Sequence, residues 1–165
     1  MNNRKSFKIV RLRNINTMAA IKLYMKGLSE ERPKGHAKQE ELAERFKLLD
    51  GFGALDKNRL VGIITFTIIG STMYLDFIFA SIKRHRIGFA LMLETAKLAR
   101  RKHITLIKTS ISKIDQRSIA WYKACGYRRM RKTAQDWPLV DRPFLFYADA
   151  QPDKIIKAIE QHEKA

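Results

Sequence analysis

The run from residue 72 to 110 constrains the fold more than any other part of the chain. Residues 72–80 (Thr-Met-Tyr-Leu-Asp-Phe-Ile-Phe-Ala) are rich in apolar and aromatic side chains and predict a long strand. A basic turn follows, Lys83-Arg84-His85-Arg86. Over residues 87–102 the period changes: Ile87, Leu91, Thr95 and Leu98 fall near one stripe of a helix. Arg100, Arg101 and Lys102 gather at its C-terminal end, where cations suit the helix dipole. Residues 104–110 are again apolar apart from Lys108. Strand, helix and strand in this order imply a parallel pair joined by a crossover helix. The turn into the helix presents backbone N–H groups at the positive end of the helix dipole, a natural seat for a diphosphate.

The flanking segments supply the rest of a sheet. Residues 7–12 predict a first strand. Asn14 or Asn16 can cap a helix carrying Met18, Ile21 and Met25, which Gly27 is expected to break. Pro33, Lys34 and Gly35 mark a loop, and residues 39–49 a second helix with Leu42, Phe46 and Leu49 on one face. Residues 52–55, a turn at Asp56-Lys57-Asn58 and residues 59–69 predict a hairpin, and Gly70-Ser71 turns into the strand at 72–80. Residues 115–125 predict a helix stopped by Gly126. Strands are expected at 127–132 and 144–148, with a loop around Trp137 and Pro138 between them. A final helix at 152–163 carries Ile155, Ile156 and Ile159. No linker divides the chain, so residues 1–165 are expected to form a single domain.

Charge narrows the function classes. The chain holds 33 Lys and Arg against 16 Asp and Glu, a net charge of +17. Residues 80–132 alone hold fifteen of the cations and only two acids, Glu94 and Asp115. Such a surface favours anionic partners and steers them in. With 45% apolar and 30% charged residues the chain can bury a core, which excludes disorder. The single cysteine, Cys125, excludes an intramolecular disulfide and suits a reducing compartment. The polar, basic start lacks the apolar stretch of a secretory signal. The longest apolar run, near 61–69, is too short for a bilayer, which takes about 20 residues. A cytoplasmic protein with no membrane partner is expected. His36, His103 and His162 share no metal-like spacing with one another or with Cys125, so no metal is expected.

Two motifs carry a resemblance. The first is Lys83-Arg84-His85-Arg86-Ile87-Gly88-Phe89-Ala90, and the second is Asp115, Ser118, Tyr122 and Gly126-Tyr127. In this order and at this separation they resemble the acyl-CoA binding core of the GNAT superfamily of N-acyltransferases. That family's first motif is Gln or Arg, two residues, Gly, one residue, then Gly or Ala. With Gly88 on the last position, Lys83 takes the Gln/Arg position and Arg86 the first Gly. A Gly there takes positive φ or lets backbone approach a phosphate; Arg86 can stay helical and add a charged contact instead. The second motif is Asn, two residues, Ala, three residues, Tyr, three residues, Gly-Phe. Asp115, Ser118, Tyr122 and Gly126-Tyr127 match its spacing, with Asp for Asn, Ser for Ala and Tyr for Phe. The resemblance covers about residues 7–150.

The resemblance implies an α+β fold: a mixed sheet of about seven strands with a central splayed parallel pair and flanking helices. It implies transfer of an acyl group, acetyl first of all, from acetyl-CoA to a primary amine by direct attack in a ternary complex. The pantetheine arm of coenzyme A would then pair with the backbone of Phe77, Ile78 and Phe79. The diphosphate would sit on Lys83, Arg84, His85, Arg86, Ile87, Gly88, Phe89 and Ala90. Tyr122 would lie beside the sulfur and protonate the leaving thiolate. Asp115 and Ser118 would contact the cofactor, although Asp115 is also a good helix N-cap. Asp76 is the best-placed carboxylate to take a proton from the amine, or else it holds a salt bridge, because an acid inside a strand is costly to bury without a partner. Tyr74 shares its face.

The acceptor follows from charge. A cationic small amine meets a repulsive field, which favours an acidic macromolecule: nucleic acid, the ribosome, or an acidic protein's N-terminus or lysine. A second class of function fits the same charge, a nucleic-acid-binding or nucleic-acid-modifying protein on a GNAT-like fold. Arg86 in place of Gly and the cluster Arg128, Arg129, Arg131 and Lys132 support it. The strand after Phe144 leaves both monomer and homodimer open.

Overall fold

A computed structural model describes residues 7–31, 39–82, 86–128, 130–131 and 145–165. Their strands form one mixed, seven-stranded sheet in the order β1-β2-β3-β4-β5-β7-β6. The loop at Pro33–Gly35, the turn residues Lys83, Arg84 and His85, and the loop around Trp137 lie outside the described residues. The chain packs as two compact units. One takes the chain up to Thr67 together with Asp76–Thr95, and the other takes Ile68–Leu75 together with Ala96–Ala165.

In the first unit, β1 (Lys8–Arg11) pairs antiparallel with β2 (Asp50–Asp56), from Lys8 opposite Leu55 to Arg11 opposite Phe52. β2 pairs antiparallel with β3 (Arg59–Ile69) across the Lys57-Asn58 turn, and the register shifts at Ala54/Leu55. Lys57 takes φ 57, the left-handed conformation that tight hairpins need. Helix α1 (Thr17–Glu31) is capped by Asn16, whose side-chain oxygen accepts the Ala19 N–H at 3.1 Å. α1 runs straight through Gly27, so the expected break there is corrected. Gly27 serves packing: a Cβ on it would lie 2.4 Å from Phe77 Cζ and 2.7 Å from Phe79 Cγ. The missing side chain admits two aromatic rings of β4 (Thr72–Ala80) against the helix. Helix α2 (Gln39–Leu48) adds Phe46, which meets Tyr24 edge-on at 5.2 Å. Leu12, Ile21, Tyr24, Phe46, Ile63 and Phe77 form the core of this unit.

In the second unit, the start of β4 pairs in parallel with β5 (Leu106–Ser112): Thr72 with Leu106, Met73 with Ile107, Tyr74 with Lys108. Helix α3 (Ile87–Arg101) is the crossover that a parallel pair requires. β5 also pairs antiparallel with β7 (Leu145–Ala150), which pairs with the short β6 (Met130–Arg131). β5 alternates between half-buried and buried residues, with Ile107, Thr109 and Ile111 inside. Helix α4 (Gln116–Ala124) ends in two backbone bonds, Gly126 N–H to the Lys123 carbonyl and Tyr127 N–H to the Tyr122 carbonyl at 3.1 Å, with Gly126 at φ 96. That cap engages the Tyr127 amide, so Tyr127 belongs to the turn and not to the strand expected from 127. Helix α5 (Pro152–Lys164) opens on a proline and buries Ile155, Ile156 and Ile159. No helix among the described residues is long and apolar enough to cross a membrane.

Candidate active site

The entry to α3 is held from both sides. At the end of β4, the Ser81 N–H and hydroxyl both donate to the Val61 carbonyl, at 2.8 and 3.1 Å. At the start of α3, Ile87 is buried against β3, where a Cβ on Gly62 would lie 2.5 Å from Ile87 Cγ2. Just ahead of Ile87, Arg86 takes φ 57, and its carbonyl accepts the Ala90 N–H at 3.0 Å, the first bond of the helix. The expectation that Arg86 stays helical is therefore corrected: it adopts the left-handed conformation natural to glycine, at a cost of about 1–2 kcal/mol for a residue with a Cβ. The amides of Ile87 and Gly88 precede the first intrahelical bond and lie at the positive end of the dipole. Arg86 is exposed, while Gly88, Phe89 and Ala90 are half-buried. On β4, Phe77 is buried, and Ile78 and Phe79 are half-buried.

Asp76 sits in a polar cluster inside the first unit. Its carboxylate accepts from the Thr65 hydroxyl at 3.0 Å, from the Tyr24 hydroxyl at 3.3 Å and from the Arg45 guanidinium. A carboxylate has about four lone-pair directions; three are taken. The donors come from α1, α2 and β3, so the cluster is assembled by the fold. The Tyr24 ring packs on that of Phe77, with centroids 4.4 Å apart. Sequence reading passes over Tyr24, Arg45 and Thr65, because nothing local links them to a strand carboxylate. A cleft of about 240 Å³ in this unit is lined by Leu12, Arg13, Thr17, Phe46 and Asp50 among others, and holds none of the sequence-predicted site residues.

The second unit carries the other motif. Asp115 caps α4: its carboxylate accepts the Ser118 N–H at 2.9 Å and the Ser118 hydroxyl. These bonds hold the Asp115 pKa below its ordinary 3.8. Tyr122 is buried, edge-on to Trp121 at 4.9 Å and to Tyr127 at 5.4 Å. Burial pushes the Cys125 thiol far up, so it stays a packed neutral thiol and offers no nucleophile. The Tyr127 hydroxyl is buried and has no hydrogen-bond partner among the described residues. No group of three or more His, Cys, Asp or Glu among the described residues comes together as a metal site.

Comparison with known proteins matches this arrangement to a family. The model of the acetyltransferase (GNAT) family matches residues 12–127. No curated protein matches the chain. PaiA N-acetyltransferase from Thermoplasma acidophilum, solved in complex with coenzyme A, superposes with a TM-score of 0.71 at 16% identity, covering 88% of this chain and 99% of that one. A GNAT-family acetyltransferase from Staphylococcus aureus gives 0.72 at 14% identity, covering 89% and 99%. The ribosomal-protein-S18-alanine N-acetyltransferase from Escherichia coli gives 0.68 at 13% identity, covering 88% and 94%. At these identities the likeness speaks to the fold, which all three share with this chain. The family match is the stronger finding, since it takes in both motifs and most of the sheet, and the chain belongs to the acetyltransferase (GNAT) family.

Proposed function

We propose that the protein transfers the acetyl group of acetyl-CoA to a primary amine by direct attack while both substrates are bound. Family membership carries acetyl transfer and its cosubstrate acetyl-CoA. The observation that carries the donor site is the entry to α3, where Arg86 holds positive φ in the absence of the family's glycine. Backbone amides at a helix N-terminus beside an exposed guanidinium fit a diphosphate. Lys83, Arg84 and His85 add cationic or titratable groups just before them in sequence. The backbone of Phe77, Ile78 and Phe79 is assigned to the pantetheine arm. Ile87, Gly88, Phe89 and Ala90 are assigned to the diphosphate with Arg86.

The chemistry needs a proton removed and a proton supplied. Amines are mostly protonated near neutral pH, and the attacking nitrogen must be neutral. Asp76 is assigned as the acceptor of that proton, directly or through a water, using the lone-pair direction left by Thr65, Tyr24 and Arg45. Those three donors fix its orientation. As the nitrogen bonds to the acetyl carbon and the carbon–sulfur bond breaks, Tyr122 gives its phenolic proton to the sulfur, and the second proton that the nitrogen sheds on becoming an amide passes to solvent. Such a positioned acid contributes about 10²–10⁴-fold. Asp115 and Ser118 stabilise the helix that carries Tyr122, and contact coenzyme A from its first turn.

The net charge of +17 favours an acidic macromolecule as the acceptor. The test is acetyl-CoA labelled in the acetyl group, incubated with the protein and with separate pools of RNA, ribosomes and acidic proteins. The reading expects label in one pool as an amide stable to hydroxylamine. No transfer to any pool, with RNA bound in a steeply salt-dependent manner, would favour a nucleic-acid-binding protein on this fold.

A further inference from the structure

Tyr127 stands where the second motif carries Phe, so its hydroxyl is an addition of this chain to the motif. The residue is 0% exposed, and among the described residues its hydroxyl has no hydrogen-bond partner. A buried unpaired hydroxyl is destabilising, and phenylalanine would fill nearly the same volume without it. The turn does not need the hydroxyl: the Tyr127 amide and Gly126 close it through the backbone. The Tyr127 ring does have a neighbour of the right kind. The Tyr127 and Tyr122 rings meet edge to face, with centroids 5.4 Å apart and planes at 89°. Burial raises the Tyr127 pKa first, followed by the charges of Tyr122, Cys125 and Asp149. Cys125, at the helix end, and Asp149, on β7, are the other titratable groups that act on it. Tyr127 therefore keeps its proton and can donate it in a hydrogen bond.

We propose that Tyr127 is a positioning residue for Tyr122, its hydroxyl donating a hydrogen bond to the Tyr122 oxygen, directly or through one water, as that oxygen becomes an anion. The inference rests on Tyr122 as the proton donor to the leaving thiolate. In that step the Tyr122 O–H bond breaks, the proton goes to sulfur, and the electron pair stays on the Tyr122 oxygen. Tyr127 keeps its own proton throughout. A phenolate forming in a buried site is costly without a donor, and a donor aimed at charge that develops only during the reaction lowers the barrier more than it stabilises the resting state. A buried hydroxyl with no partner among the described residues is the expected sign of such a donor.

The test is a titration that needs no acceptor. The full chain is labelled with 3-fluorotyrosine, which brings phenol titration down toward neutral pH, and followed by fluorine NMR. Tyr122→Phe assigns the Tyr122 resonance. In Tyr127→Phe, Tyr122 should titrate about one pH unit higher than in the parent, the size expected for losing one hydrogen bond to a charged group. The Tm of Tyr127→Phe should be unchanged or higher. An unshifted Tyr122 titration would overturn the proposal, and so would a clearly lower Tm or a failure to fold, since the hydroxyl would then serve the structure. Thermal stabilisation of the parent by acetyl-CoA, run alongside, separates the two readings. Stabilisation with no Tyr122 shift removes only this inference, whereas absence of stabilisation removes the acetyltransferase reading beneath it.

Discussion

Arg86 keeps a backbone conformation at the cost of its own comfort. It stands between two anchors, Ser81 on Val61 and Ile87 over Gly62, and takes left-handed φ although it carries a Cβ. Arg86→Gly should leave stability unchanged or raise it by up to about 1 kcal/mol, because relief of about 1–2 kcal/mol of left-handed strain is partly offset by glycine's greater entropy when unfolded. The same change should weaken acetyl-CoA binding several-fold, more so at low salt, because a cation beside the diphosphate is lost. Thermal unfolding and calorimetric titration read the two effects separately. At Tyr122, substitution by Phe should slow CoA release by about 100-fold or more, with the KM for acetyl-CoA nearly unchanged, in steady-state assays on the labelled acceptor pool. The places of Arg86 and Tyr122 are legible in motif spacing. The φ of Arg86 is not, because a side chain with a Cβ carries no local signal for the left-handed region.

Among the elements, α1 and α4 show where local signals succeed and fail. Asp115 and Gly126 are legible as the start and stop of α4, because capping is settled within a few residues. Asp115→Ala should cost about 1 kcal/mol by thermal unfolding. Its folded pKa is depressed, so its contribution is fully present above its ordinary 3.8 and is lost as the pH falls through the lower folded value. The cap is exposed, so this loss should be a small part of any acid unfolding. Gly27 in α1 has the same local signature as a stop, yet the helix continues to Glu31. What decides it is the approach of Phe77 and Phe79, residues some fifty positions away. Gly27→Ala should therefore lower stability by about 1–3 kcal/mol, although alanine is the better helix former. A higher Tm would contradict that account. The cluster of Tyr24, Arg45 and Thr65 on Asp76 escapes sequence reading for the same reason, since each partner belongs to a different element.

At the scale of the molecule, the boundary between the two compact units falls inside β3, inside β4 and inside α3, not in a linker. Both units depend on these shared elements, so the chain is expected to unfold in one transition, with far-ultraviolet and aromatic signals coinciding. The apolar runs of β4 and β5 and the stripe of α3 make the strand–helix–strand segment readable from sequence, and the turn at Asp56-Lys57-Asn58 does the same for the hairpin of β2 and β3. The net charge of +17 leaves the anionic partner's class open to the acceptor screen, but it also means that any polyanion can bind weakly. The direct measurement is thermal unfolding with acetyl-CoA, free CoA and ATP compared at equal concentration. A specific ligand at about 100 times its Kd adds roughly 2.7 kcal/mol. The account predicts a clear rise with acetyl-CoA and with CoA, well beyond that with ATP; no rise, or an equal rise with all three, would contradict it.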